Sequence, residues 1–393
     1  MQFLQKINKY CFFLLVFSVT FENWDPFNLS GIVSVTYMAS ILYILSWLPL
    51  LKSQFRLSSF KQYLIPLTLF TIIGIFSTAL NSGYAESYQD SYDLRVITLI
   101  ILMFLIVNHF YNDKTLVYEA LNIYVISIIL LYILALSGVG TEFKNGRLLL
   151  FGENPNSIGV KAVVAFLVVV SRLINDKLSL KKILLNSLFV FSTLNLIILT
   201  GSRGALLSVF LGLAVLILFM KITIWKKILL TIGGIGFSIL FLGIVMKTNP
   251  AFERRIMNTI ETGDTGRNDL WESSLIIIED NLFLGVGLAG ALPEMMKYTG
   301  RLIDPHNVFL YVLMTTGLFG FLFYLIFILK LWKNLHQSFK RNGRVVFLVM
   351  LAVVLFNMGK TGGAIGKIFF WFFFAILIGS TFDKNEVKNS MKN

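Results

Sequence analysis

Side chains able to do chemistry are few in this chain, and three of them share a pattern. Of its three histidines, His306 stands in Arg301-Leu302-Ile303-Asp304-Pro305-His306-Asn307-Val308-Phe309-Leu310, between an acidic loop and an apolar helix. An imidazole titrates close enough to neutrality to act as a general base, although a histidine at a helix start is about as often a capping or interfacial residue. Arg203 sits in Thr200-Gly201-Ser202-Arg203-Gly204, where two apolar runs meet. A charge at that depth is costly unless it finds a partner or water, so a functional role is the default expectation and snorkelling the alternative. The flanking glycines and serine leave open backbone for an anion, and amides at a helix N-terminus add to its binding. Arg267 precedes a stretch in which Leu270, Trp271, Leu275 and Ile278 recur at helical spacing, with a solvated loop charge as the bland reading. Two guanidinium forks facing one site match the oxygens of a diphosphate. One base and two arginines suit the deprotonation of a hydroxyl alongside the departure of a diphosphate.

These residues must be positioned by a membrane protein. Of 393 residues, 56% are hydrophobic and 14% charged, too apolar for a soluble globule of this size. Twelve apolar runs are long enough to cross roughly 30 Å of hydrocarbon, near 5–21, 29–51, 63–80, 94–110, 116–138, 157–174, 183–201, 203–220, 228–246, 306–330, 345–359 and 366–382. None carries Asp, Glu, Lys or Arg in its central part. The break at Thr200 to Gly204 divides what would otherwise be one helix of nearly twice the needed length. Lys6 and Lys9 before the apolar run from Tyr10 to Phe21 resemble a signal peptide, but no small-residue cleavage site follows, so the run is kept as a span. The expected fold is an all-α integral membrane protein of about twelve helices, one polytopic domain over 1–393, with a large outer loop over 247–305.

Placing both termini in the cytoplasm puts most of the 34 Lys and Arg on that side and most of the 21 acids on the other, as the positive-inside tendency requires. The net charge of +13 therefore marks cytoplasmic loops rather than nucleic-acid binding. His109 and His336 then fall at cytoplasmic helix ends, while His306, Arg203 and Arg267 share the outer side. Outer segments long enough to do more than connect helices are Asn81 to Asp93, Gly138 to Asn156 and Lys247 to Pro305. The last holds a turn-rich stretch from Glu261 to Gly266 and then the helix begun by Arg267, amphipathic and able to lie on the outer membrane surface. Cys11 is the one cysteine, so no intrachain disulfide or thiolate cluster forms, and no His, Asp and Glu grouping has metal-ligand spacing. Gly285-Val286-Gly287-Leu288-Ala289-Gly290 matches a dinucleotide fingerprint, yet the βαβ unit it needs is missing and Pro293 is expected to interrupt the next helix. The glycines read better as a place of close backbone packing.

Gly201-Ser202-Arg203-Gly204, the helix from Arg267 to Trp271 followed by Leu284-Gly285-Val286-Gly287, and His306-Asn307 with Leu310 and Gly317 together resemble the O-antigen ligase and polymerase superfamily. Asn154-Pro155-Asn156 before the sixth span is a further similarity. The motifs cover roughly residues 150–330. The resemblance implies a metal-independent membrane glycosyltransferase, without cofactor, of the bacterial inner membrane. Such an enzyme takes a glycan from undecaprenyl diphosphate on the outer face and attaches it to an acceptor glycan, either lipid A-core or a lipid-linked repeat unit, in surface polysaccharide or capsule synthesis. It implies His306 as base or acceptor-orienting group and Arg203 and Arg267 on the diphosphate. Ser202, Asn156, Asn307, Arg301 and Lys367 follow as secondary candidates for diphosphate or substrate binding. For Arg301 and Lys367, as for Arg254, Arg255 and Lys360, a surface charge or headgroup contact is the competing reading. The rival class is a transporter or flippase of lipid-linked oligosaccharides, which tends to keep ionisable groups near mid-membrane.

Overall fold

The computed structural model describes residues 1–27, 33–81, 83, 94–248, 250–262 and 267–382. The turn-rich residues 263–266 and nearly all of the expected outer segment from Asn81 to Asp93 lie outside the described residues. The chain is mainly helical: α1 (Gln2–Ser18), α2 (Val35–Trp47) with its short continuation α3 (Leu51–Gln54), α4 (Lys61–Leu80), α5 (Leu94–Asn112), α6 (Thr115–Leu136), α7 (Pro155–Asn175), α8 (Leu180–Leu199), α9 (Arg203–Phe219) and α10 (Ile224–Thr248). The second half adds α11 (Pro250–Thr262), α12 (Asn268–Asp280), α13 (Gly287–Thr299), α14 (Val308–Asn342), α15 (Val346–Met358) and α16 (Ile368–Gly379). Each of the twelve expected runs falls on a helix. Among the described residues, eight helices are long and apolar enough to cross a membrane by length and composition, and α9, α15 and α16 are shorter apolar helices.

The layering follows from which helices are apolar all round. A helix without a polar face must be surrounded, and every residue of α16 from Ile368 to Gly379 is buried, as is α7 from Ser157 to Val169. Close approach is made possible by glycines: Gly212 of α9 meets Leu167 of α7, and Gly379 of α16 meets Phe110 of α5. At the rim, α8 and α10 expose Leu184, Phe191, Leu229, Ile232 and Ile239, the side chains that a hydrocarbon solvent would cover.

Between α6 and α7 stands a two-stranded hairpin, β1 (Thr141–Lys144) paired antiparallel with β2 (Arg147–Leu150). Asn145 and Gly146 both have positive φ, 52° and 70°, the backbone that a two-residue hairpin turn needs and that Asn-Gly supplies at least cost. The helix begun by Arg267 is partly covered by protein. Leu270, Ile277 and Ile278 of α12 pack with Val286, Ala291 and Met295 of the α13 region and Met314 of α14, while Leu275 and Ile276 stay exposed. The glycine run after it serves close packing. Gly285 (φ 68°) and Gly287 (φ 74°) leave no room for a Cβ against Met314 and Thr78, and α14 itself opens at Gly317 (φ 60°) to receive Phe283 and Leu284. Pro293 lies inside α13 without ending it, contrary to the sequence expectation. A proline removes one amide donor, but the helix here continues on either side of it, as α4 does across Pro66.

One buried ionic cluster ties the N-terminal corner to this scaffold. Lys161 of α7 is fully buried, with Nζ 2.7 Å from Glu153 Oε2 and 3.7 Å from Glu22 Oε2. Glu22 Oε1 accepts the first amide of α16, Ile368 N, at 2.9 Å, and Glu153 Oε1 accepts Asn23 Nδ2 at 3.1 Å. Removing one partner from a buried ion cluster strands the others. Lys161→Met should therefore lower stability by about 3–5 kcal/mol, read as thermal unfolding in detergent. Lys161→Met with Glu153→Gln should recover part of that loss; equal loss in both variants would assign the effect to packing.

Candidate active site

Arg203 is placed by a broken helix. After α8, Gly201 adopts φ 55°, and Ser202 caps α9 by accepting Ala205 N on its Oγ at 3.2 Å, so Arg203 is the first residue of the helix that follows. The turn frees backbone carbonyls, and arginines use them. Arg255 Nη1 of α11 donates to Gly201 O at 2.6 Å, and Arg203 Nη1 donates to Arg255 O at 2.8 Å. Arg147 of β2 donates from Nε to Thr200 O at 3.2 Å and from Nη2 to Asn156 Oδ1 at 2.6 Å. Asn156 also accepts Ser202 Oγ at 3.0 Å. Its amide oxygen thus joins the hairpin, α7 and the α8–α9 break.

Arg203, Arg255, Arg267, Lys360, Asn156 and Ser202 line a cavity of about 360 Å³ whose other wall is Leu206, Leu207, Phe210, Leu242, Phe252, Ile256 and Ile260 from α9, α10 and α11. One end is cationic and the rest apolar; among the described residues no Asp or Glu lines it. The crowding shows in the guanidinium groups themselves. Burial and the neighbouring Arg147 and Arg203 push Arg255 down to about 10, and burial followed by the field of Arg203 lowers both Arg147 and Arg267.

A second cavity, of about 280 Å³, adjoins the first and shares Asn156, Arg267, Lys360 and Thr361 with it. Its far side holds Asp304, His306, Ser157 and Lys367. His306 precedes α14 rather than opening it, with φ 51°, and Asn307 is the cap, accepting Phe309 N and Leu310 N. Trp271 of α12 donates from Nε1 to Pro305 O at 3.1 Å, which fixes the approach to the histidine. Asp304 Oδ1 lies 2.6 Å from His306 Nδ1 and accepts His306 N at 2.8 Å, while Oδ2 accepts Gly363 N. Burial opposes ionisation of Asp304, but the hydrogen bonds from the His306 ring and backbone outweigh it and hold the carboxyl below its usual range. An ionised Asp304 keeps the ring proton on Nδ1, so Nε2 carries the lone pair. A Cβ at Gly362 would overlap both His306 Nδ1 and Asp304 Oδ1, so this glycine is what lets the loop close over the pair.

Of the residues singled out in the sequence, His306, Arg203, Arg267, Ser202, Asn156 and Lys367 line these two cavities. Asn307 lines a smaller neighbouring space with Asp304 and is committed to capping. Arg301 is exposed and lines neither cavity. Lys367 donates from Nζ to Ser157 Oγ at 2.6 Å, and burial lowers its pKa. Arg147, Arg255, Asp304 and Lys360 are not among the sequence candidates; Arg255 and Lys360, expected as surface charges or headgroup contacts, line the first cavity. A signal existed for Arg147, which directly follows the Asn-Gly turn and therefore opens a second strand. Among the described residues no group of three or more His, Cys, Asp or Glu gathers as a metal site.

A family model described as O-antigen ligase matches residues 188–325. Over this segment the chain is similar to the O-antigen ligase family. The O-antigen ligase segment contains Arg203, Arg255, Arg267, Asp304, His306 and the Gly317 opening, whereas Arg147, Asn156, Lys360 and Lys367 are contributed from outside it. The family implies an enzyme of O-antigen ligase or polymerase type, and the apolar helices make it a multi-pass membrane protein. A search of curated proteins found no match.

Asp304→Asn should leave the helices intact and release the imidazole from its tautomer. Glycan transfer is expected to fall on the order of 10²-fold, the lower end of what a general base supplies, with nitrogen NMR of the ring reporting mixed tautomers. An unchanged tautomer with unchanged transfer would show that Asp304 does not set the ring.

Proposed function

We propose that the chain is a membrane glycosyltransferase that moves a glycan from undecaprenyl diphosphate to an acceptor sugar on the outer face of the bacterial inner membrane, as an O-antigen ligase or a repeat-unit polymerase, with both termini cytoplasmic and about twelve spans. One observation carries this reading: a cavity with a cationic end and an apolar wall, the shape of a lipid diphosphate, shares Arg267 with a polar cavity that holds His306. The donor's diphosphate sits among Arg203 and Arg267 with its prenyl chain along α9, α10 and α11. The acceptor enters beside His306.

In this mechanism Nε2 of His306 takes the proton of the acceptor hydroxyl as the oxygen attacks the anomeric carbon. The bond from that carbon to the diphosphate oxygen breaks, and its electron pair stays on the phosphate. Arg203 and Arg267 stabilise the charge that develops there, a contribution that often exceeds that of the base. Asp304 holds the ring and disperses the charge of the imidazolium. No metal or cofactor takes part in these steps. A transporter or flippase of lipid-linked oligosaccharides is the alternative; the pairing of an oriented base with an anion cavity favours transfer.

Deleting the gene and running the surface glycan on a gel separates the outcomes. A single repeat unit left on its anchor marks a polymerase, lipid-linked polymer accumulating untransferred marks a ligase, and an unchanged profile in a strain without a redundant enzyme refutes both. His306→Ala and Arg203→Ala should abolish transfer while the protein still inserts, and wild-type transfer by either removes its assigned role. Arg267→Lys should also lose activity, since an ammonium keeps the charge without the fork; full activity would reduce the role to charge alone. For topology, a cysteine introduced near His306 in a chain lacking Cys11 should react with an impermeant reagent from the outer side. Labelling from the cytoplasm alone would reverse the orientation.

A further inference from the structure

The segment between α15 and α16, Gly359-Lys360-Thr361-Gly362-Gly363-Ala364-Ile365-Gly366-Lys367, lies beyond the O-antigen ligase match yet touches both cavities. At one end Gly363 N holds Asp304, and Gly362 makes room for His306. At the other, Lys360 enters the cationic end of the donor cavity. Its Nζ is buried and donates no hydrogen bond within the described residues. It stands 3.4 Å from the centroid of the Phe356 ring, and Gly204 in the α8–α9 break leaves it space, its Cβ position lying 3.6 Å from Nζ.

A buried ammonium without an acceptor is costly, and this one also faces Arg267; burial and that arginine push it down to about 8. Lys367, in the same loop, differs: Ser157 Oγ accepts from it, and Glu153 lies close enough to favour its charge. Lys360 therefore keeps its donors for something that arrives. The cavity it enters holds Arg203, Arg255 and Arg267 and, among the described residues, no carboxylate, so the missing acceptor is an anion. Because Lys360 also lines the His306 cavity, it stands at the seam where donor and acceptor meet.

We propose that Lys360 is a catalytic residue of the diphosphate site, donating from Nζ to the phosphate oxygen that is released when the glycosyl bond breaks. This rests on the lipid-diphosphate reading above. The balance is simple. The electron pair of the broken carbon–oxygen bond stays on the phosphate, Lys360 hydrogen-bonds that oxygen without giving up its proton, and the acceptor's proton goes to His306. The 359–367 loop thereby couples the base to the leaving group, since one backbone segment holds Asp304 and carries the ammonium.

The test uses the purified full-length protein with a polyprenyl-diphosphate-linked glycan and an acceptor glycan, titrated separately. Lys360→Met should reduce donor kcat/KM on the order of 10²-fold, leave the acceptor KM within about twofold, and be partly rescued in Lys360→Arg; Lys360→Gln serves where the Met variant does not fold. Wild-type donor kinetics in Lys360→Met overturn the proposal, as does a defect confined to the acceptor KM. Binding of a fluorescent polyprenyl diphosphate separates the two levels of inference. If the wild type does not bind it, the lipid-diphosphate reading falls and Lys360 with it; if the wild type and Lys360→Met bind and turn over alike, Lys360 alone is misassigned.

Discussion

Repulsion among cations is the constraint around which the arginine-rich end of this molecule is built. Beyond the larger effect of burial, the charge of Arg203 lowers the proton affinity of Arg147, Arg255 and Arg267, and Arg147 lowers that of Arg255; like charges in a partly buried setting repel by kilocalories at effective dielectrics near 20. What holds them is backbone. The α8–α9 break, with its left-handed Gly201 and its Ser202 cap, exists in a form that presents Thr200 and Gly201 carbonyls to Arg147 and Arg255. A continuous helix would have consumed those carbonyls in its own hydrogen bonds. The break is thus less a hinge between two spans than the framework that holds an arginine cluster.

The histidine side is organised by the opposite sign. One carboxylate, Asp304, accepts hydrogen bonds from the ring and from two backbone amides, one in its own turn and one in the 359–367 loop. This asymmetry separates the tasks. Several cations line one cavity, and a carboxylate orients the imidazole in the other.

Both halves stand on a scaffold anchored by Lys161. Its contacts with Glu153 and Glu22 link the residues just before α7, the turn after α1 and the first amide of α16. Asn156 and Ser157, which face the cavities, begin α7 one to two turns before Lys161, and Lys367 ends the loop that α16 continues. A fully buried ion cluster contributes little net stability compared with apolar packing, but it admits few alternative geometries. We read it as the element that fixes where the last loop sits relative to the O-antigen ligase segment.

The sequence by itself determined the class and the outline. Apolar runs of spanning length mark the helices, charge asymmetry orders the segments between them, and Gly-Ser-Arg-Gly with His-Asn carries the family resemblance; these are local properties, readable from consecutive residues. His306, Arg203 and Arg267 were legible for the same reason, each being an unusual residue beside an apolar run. Tertiary structure alone decided which other charges join them. Arg255 and Lys360 look like any loop cation in sequence, because what distinguishes them is the cavity they line with Arg203 and Arg267, a relation between segments far apart in the chain. The pairing of Asp304 with a glycine nearly sixty residues later, and the packing of Leu270, Ile277 and Ile278 of α12 against α13 and α14, were hidden for that reason too. An amphipathic stripe states that one face is apolar, and only packing states what covers it.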